Sequence, residues 1–100
     1  MNYIDINKNQ LENMIKENKN IKIIDIRDKE EYNEFSIDNS INIPLAELLF
    51  NMDELEEYRE NDIVVCCSSG IRSTTACNLL LMEGYENIYN LEKGMSVYTG

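Results

Sequence analysis

Residues 63–73 read Ile-Val-Val-Cys-Cys-Ser-Ser-Gly-Ile-Arg-Ser, and the order of residue types in them predicts the fold. Ile63, Val64, Val65 and Cys66 form a continuous apolar run, as expected of a strand buried on both faces of a parallel sheet. From Ser73 to Glu83 the apolar residues Ala76, Cys77, Leu80 and Leu81 recur at helical spacing, and Gly84 is placed to end the helix. Residues 67–72 therefore fall in a strand-to-helix turn, where the first backbone N–H groups of the helix lack intrahelical partners. The helix dipole adds positive potential there, so the turn favours anions. Arg72 puts a permanent cation at the same end. A thiol at the first loop position, Cys67, is expected to ionise more readily than a free cysteine and to act as a nucleophile near neutral pH. Gly70 lets the backbone curl with no Cβ in the way.

Working outward, residues 3–6 suit a short edge strand, and Asn7 is placed to cap a helix with Leu11, Met14 and Ile15 on one face. Residues 22–27 read as the next strand. Asp28, with Glu31 three residues on, makes a capping-box start for a short helix ending near Phe35. A third strand is expected over 40–43. Pro44 then opens a helix through Leu48 and Phe50, and a second, acidic helix covers 52–58. Residues 62–66 lead into the cysteine loop, and 87–91 form the last strand. Strands alternating with helices imply right-handed crossovers: an α/β fold with a central, mostly parallel sheet of about five strands flanked by helices on both faces. One domain is expected over residues 1–100. The loop then lies outside the carboxyl end of a central strand, where open α/β sheets bind ligands.

The net charge of −10 argues against nucleic acid or an anionic membrane as partner. Residues 51–100 hold nine acids and three bases (Arg59, Arg72 and Lys93), and 53–60 form a dense acidic patch. That patch reads either as a solvated helix face or as a surface that repels free anions and docks a basic partner. No apolar run approaches the ~20 residues needed to span a bilayer. The first residues lack the basic and apolar regions of a secretory signal. Three cysteines, two of them adjacent, make no even disulfide framework. A cytoplasmic protein with reduced thiols is expected.

The segment Cys67-Ser68-Ser69-Gly70-Ile71-Arg72-Ser73 resembles the Cys-x-x-Gly-x-Arg-Ser active loop of single-domain rhodaneses, the sulfurtransferases. Ile23-Ile24-Asp25-Ile26-Arg27, followed by Glu30-Glu31-Tyr32, resembles the family's apolar-apolar-Asp-x-Arg strand and its Glu-Glu-aromatic. Ile41-Asn42-Ile43-Pro44-Leu45 and the stretch from Gly84 to Leu91 also match, all in the family's order. The chain departs from the pattern in four places. Phe35 to Ser40 stands where the family commonly has Gly-His-Ile-Pro-Gly-Ala, in a chain without any histidine, Ser68 stands where relatives often have Arg, Lys93-Gly94 replaces a Gly-Gly pair, and Tyr98 replaces a Trp.

The resemblance implies that Cys67 carries sulfur as a persulfide, with Arg72 as its catalytic partner and Ser68, Ser69, Gly70, Ile71 and Ser73 as the substrate-binding loop. The partners it implies are a small sulfane-sulfur donor or a persulfidated protein, and a thiol acceptor. The chemistry calls for no cofactor and no metal. Arg72 has two roles open to it, stabilising the charged sulfur or bracing the loop. Asp25, Arg27 and Glu31 are expected to be structural near the site, with an Arg27–Glu31 ion pair. Cys66 and Cys77 read as core residues. Two alternatives stand beside this reading. Counted from Cys66, the residues spell the Cys-x5-Arg spacing of phosphatases, including those built on the rhodanese fold. The third is a non-catalytic rhodanese-like module that binds a partner through its acidic surface.

Overall fold

The computed structural model describes residues 2–18 and 20–99. Along the chain lie β1 (Ile4–Ile6), α1 (Lys8–Glu17), β2 (Ile21–Asp25), α2 (Lys29–Glu34), β3 (Ile41–Asn42) and α3 (Leu45–Asn51). A 3₁₀ helix (Met52–Tyr58), β4 (Asp62–Cys66), α4 (Arg72–Met82), β5 (Ile88–Leu91) and α5 (Ser96–Thr99) complete it. The five strands are paired in the order β1-β5-β4-β2-β3, and every pairing is parallel. β4 is central, so the loop that follows it opens between two neighbouring strands.

Side chains alternate across a strand, and along β4 this divides the core in two. Ile63, Val65 and Cys67 join Ile24, Leu48, Leu55, Ala76, Cys77 and Leu80 in the layer under α3 and α4. Val64 and Cys66 join Ile6, Leu11, Ile23, Leu91 and Met95 on the other face, under α1 and α5. The two adjacent cysteines therefore point to opposite sides of the sheet. α4 buries Ser73, Ala76, Cys77, Leu80 and Leu81, the i, i+3, i+4 stripe of a helix lying on a sheet. Gly84, at φ 92°, ends it in the left-handed conformation.

The helices add three details to what the sequence implies, the first of them a correction. Leu11 is buried and Met14 half-buried, but Ile15 is 43% exposed, because α1 sets a narrower stripe on the sheet face than the spacing suggested. The acidic helix expected over 52–58 is present as Met52–Tyr58 and is of the 3₁₀ type. Met52, Leu55 and Tyr58 recur every third residue and pack against the core, the spacing that lines up along one face of a 3₁₀ helix. α5 was not anticipated. It is one turn long, too short for periodicity to show, and Met95 and Tyr98 tie its segment to the core. Among the described residues, no helix is long and apolar enough to cross a membrane.

Candidate active site

The loop between β4 and α4 folds around the Cys67 sulfur. Gly70 N–H donates to Cys67 Sγ at 3.1 Å and Ser73 N–H at 3.4 Å. The Ser73 hydroxyl lies 3.5 Å from the same sulfur. Gly70 reaches this position at φ 86°, where a side chain is strained. A Cβ there would also sit 2.7 Å from the Lys93 nitrogen. Burial pushes the Cys67 thiol up, but the Ser73 hydroxyl and the N–H groups of Ser73, Ser69 and Gly70 pull it down further. The balance leaves it below an ordinary thiol. The other two cysteines behave oppositely. Burial and the nearby Asp25 charge push Cys66 far up, and burial takes Cys77 up to about 12.

These directions set a pH dependence. A lowered value means that thiolate already accumulates below the free-cysteine midpoint of about 8.5. Iodoacetamide should therefore alkylate Cys67 with a midpoint below that of free cysteine, while Cys66 and Cys77 stay unreacted in the folded protein. Peptide mapping after alkylation across a pH series reads all three at once. A Cys67 midpoint at or above the free-thiol value would contradict the hydrogen-bond account.

The lip of the loop is a chain of three side chains. Arg72 Nη2 donates to Ser68 Oγ at 3.2 Å, and Ser68 Oγ donates to Glu31 Oε2 at 3.2 Å. The Arg72 hydrogen bond ties its side chain to the loop at Ser68. Its exposed guanidinium sits at the rim, and the sulfur is held by the backbone and Ser73. Ile71 is 74% exposed at the loop's outer face. Ser69 is exposed on the loop, and its nearby N–H helps to pull the Cys67 thiol down.

The end of β2 supports this loop from one side. Asp25 and Arg27 are buried and pair at 2.8 Å, with Arg27 Nε also donating to the carboxylate at 3.1 Å. Arg27 Nη2 donates to the Phe35 carbonyl at 2.6 Å. The ion pair expected between Arg27 and Glu31 is therefore made with Asp25 instead. Two residues apart across the strand end, Asp25 presents both oxygens to the guanidinium fork, and Glu31 is occupied by Ser68 and by the Asp28 N–H.

Residues after β5 hold the loop from the other side, and sequence reasoning missed them. Met95 N–H donates to the Cys67 carbonyl at 2.7 Å, and Ser96 N–H donates to the Ser68 carbonyl at 3.1 Å. Gly94 makes that approach possible, since a Cβ on it would lie 2.1 Å from the Cys67 carbonyl oxygen. Lys93 is exposed, with φ 65°. Buried Asn90 was also overlooked, although a polar residue inside the apolar run Ile88-Tyr89-Asn90-Leu91 was a visible signal.

The register separates the two cysteines chemically. Cys66 faces the α1 layer, away from the loop's N–H groups, and its thiol is held neutral. The Cys-x5-Arg alternative counted from Cys66 has no anion cradle at its sulfur. Cys67 has one.

The chain matches the rhodanese-like domain family over residues 7–100. It is similar to the thiosulfate sulfurtransferase GlpE of Shewanella oneidensis, with 33% identity over 90 residues, covering 90% of this chain and 86% of that protein. It is also similar to the tRNA uridine(34) hydroxylase of Buchnera aphidicola, with 34% identity over 90 residues, covering 86% of this chain. There the chain spans only 29% of the relative's length. Among solved structures, it resembles the rhodanese-related protein of Thermoplasma volcanium with a TM-score of 0.85 and 35% identity, covering 97% of this chain and 91% of that one. Sequence and fold agree, and the chain belongs to the rhodanese-like domain family.

Proposed function

We propose that this chain is a sulfurtransferase that carries a sulfane sulfur as a persulfide on Cys67. The observation that carries the reading is the Cys67 sulfur cradled by the Gly70 and Ser73 N–H groups at 3.1 and 3.4 Å. The relative named a thiosulfate sulfurtransferase, similar over 90% of this chain, supports it.

In the first step the Cys67 thiolate attacks the outer sulfur of the donor. A bond forms between Cys67 Sγ and that sulfur, and the donor's own bond to it breaks. The electron pair leaves on sulfite if the donor is thiosulfate, or on a thiolate if it is a persulfide. The terminal sulfur of the Cys67 persulfide is an anion, and the loop N–H groups that held the thiolate are placed to hold it. A thiolate acceptor, or cyanide in an assay, then attacks the terminal sulfur and returns Cys67 as thiolate. The nucleophile is already an anion at each step, so no general base is needed and a chain without histidine is competent. The test is thiocyanate release from cyanide with thiosulfate and with glutathione persulfide as donors. Turnover with either supports the reading, and none with both would leave a binding module.

The charge at the lip bears on the choice of donor. Arg72 and Glu31 both hydrogen-bond Ser68 and offset one another, on a chain of net charge −10. Thiosulfate, a dianion, is expected to saturate weakly and to improve as salt screens the long-range repulsion, with a Debye length of about 10 Å near 0.1 M. A persulfide of lower charge should serve better. Ser68→Arg adds a cation beside Glu31 and should lower the thiosulfate KM by about fivefold, the equivalent of roughly 1 kcal/mol, with little change in kcat. Kinetics of the wild type and Ser68→Arg at two salt concentrations decide it. A tight wild-type KM that worsens steadily with salt would show that attraction by Arg72 dominates instead.

A further inference from the structure

The Ser73 hydroxyl that faces the Cys67 sulfur has a competing partner on its other side. Val65 and Asn90 are Cα partners across β4 and β5, so Asn90 projects into the layer that Cys67 enters two residues later. Asn90 is 2% exposed. Its Oδ1 accepts a hydrogen bond from Ser73 Oγ, and its Nδ2 donates to Asp5 Oδ1 at 2.9 Å and to the Gly70 carbonyl at 3.5 Å. Asp5 and Asn90 are themselves Cα partners across β1 and β5. An ionised carboxylate only accepts, so the amide nitrogen must face Asp5 and the amide oxygen must face Ser73. A chain of hydrogen bonds thus runs from the buried sulfur through Ser73 and Asn90 to an exposed carboxylate.

We propose that Asn90 is a positioning residue: anchored by Asp5 and the Gly70 carbonyl, it competes with Cys67 for the Ser73 hydroxyl proton and so weakens a side-chain donor within reach of the sulfur. While Cys67 is a thiol there is no conflict, because its S–H can donate to Ser73 Oγ as Ser73 donates to Asn90. Once the proton has left to solvent, the thiolate needs donors, and Ser73 has one hydrogen for two acceptors. Turning it to the sulfur strands the buried Asn90 oxygen, and a stranded buried acceptor carries a substantial penalty. The Ser73 hydroxyl therefore supports the thiolate less than it would without Asn90, and the Gly70 and Ser73 N–H groups share the task, at a basicity that keeps the sulfur a strong nucleophile. The other ionisable groups about the sulfur do not supply this control. Cys66 and Cys77 stay neutral, and Arg72 and Glu31 meet at Ser68 on the lip.

The inference rests on Cys67 as the sulfur-bearing residue, but its test reads the thiol alone, so it can fail while sulfur transfer stands. In Asn90→Leu the Ser73 hydroxyl is free to donate to sulfur, and the midpoint of Cys67 alkylation by iodoacetamide should move about one pH unit toward acid, or about tenfold in thiolate at lower pH. Adding Ser73→Ala to that variant should cancel the move. A merely structural role for Asn90 predicts no such reversal. Asp5→Lys, at the exposed end, serves if Asn90→Leu does not fold. Lysine only donates, which leaves the amide nitrogen the long 3.5 Å bond to the Gly70 carbonyl as its one anchor, so the amide turns its nitrogen to Ser73 Oγ and the hydroxyl proton is released to the sulfur. The acid shift should then persist at about 1 M salt, where the Debye length is about 3 Å. A midpoint that is unchanged or moves toward base in Asn90→Leu overturns the proposal. So does an Asp5→Lys shift that vanishes in salt.

Discussion

Cys67→Ser is expected to lower sulfur transfer by at least about a thousandfold, the scale of losing a covalent nucleophile, while Cys66→Ser and Cys77→Ser remain active. A serine hydroxyl does not ionise near neutral pH and forms no persulfide, although it fits the same cradle. The fold should survive, since Gly70 and Ser73 N–H can donate to oxygen as they do to sulfur. Cys66 and Cys77 are fully buried core residues with neutral thiols. Replacing either with serine buries a hydroxyl, at about 1–3 kcal/mol each, which urea unfolding reads separately from rate. If Cys66→Ser were the inactive variant and Cys67→Ser the active one, the alternation along β4 would be assigned to the wrong faces.

Gly94→Ala should be nearly as damaging, though residue 94 touches no substrate in the proposed reaction. Its Cβ would meet the Cys67 carbonyl oxygen at 2.1 Å and the Ser68 carbonyl carbon at 2.8 Å, both backbone atoms that cannot swing away. The φ of 55° adds strain for any residue with a side chain. Relief requires the loop to part from the segment after β5, which breaks the 2.7 Å bond from Met95 N–H to the Cys67 carbonyl and the 3.1 Å bond from Ser96 N–H to the Ser68 carbonyl. A loss of about 3 kcal/mol or more in urea unfolding is expected, with transfer activity falling alongside. Gly84→Ala is the control. That glycine also has positive φ, at 92°, but its Cβ would meet only the Arg59 guanidinium at 3.1 Å, a flexible side-chain end. It should lose about 1 kcal/mol, chiefly from strain, and keep its activity. Equal losses for the two glycines would mean that the contact between loop and β5 segment does not hold the site.

The parts of this molecule legible in its sequence are those fixed by local periodicity. β4 was readable because Ile63 to Cys66 is unbroken apolar chain, and α4 because Ala76, Cys77, Leu80 and Leu81 keep helical spacing before Gly84. The loop between them was readable because its residue types have few other uses together. What stayed hidden depends on contacts between distant segments. Gly94 looks like any turn glycine until the Cys67 carbonyl is seen against it. Arg27 has acids at 25, 28, 30 and 31 to choose from, and only the curl of the β2 end selects Asp25. Asn90 stood out as polar in a strand, but its partners, Asp5, Gly70 and Ser73, lie 85, 20 and 17 residues away.

The most direct measurement is the mass of the peptide carrying Cys66 and Cys67 after the folded protein meets a sulfane donor, with fragmentation to locate the added sulfur. Wild type should gain one sulfur atom on Cys67, lose it on addition of cyanide, and gain none in Cys67→Ser. Sulfur found on Cys66, or none on either cysteine with thiosulfate and glutathione persulfide alike, would contradict the account.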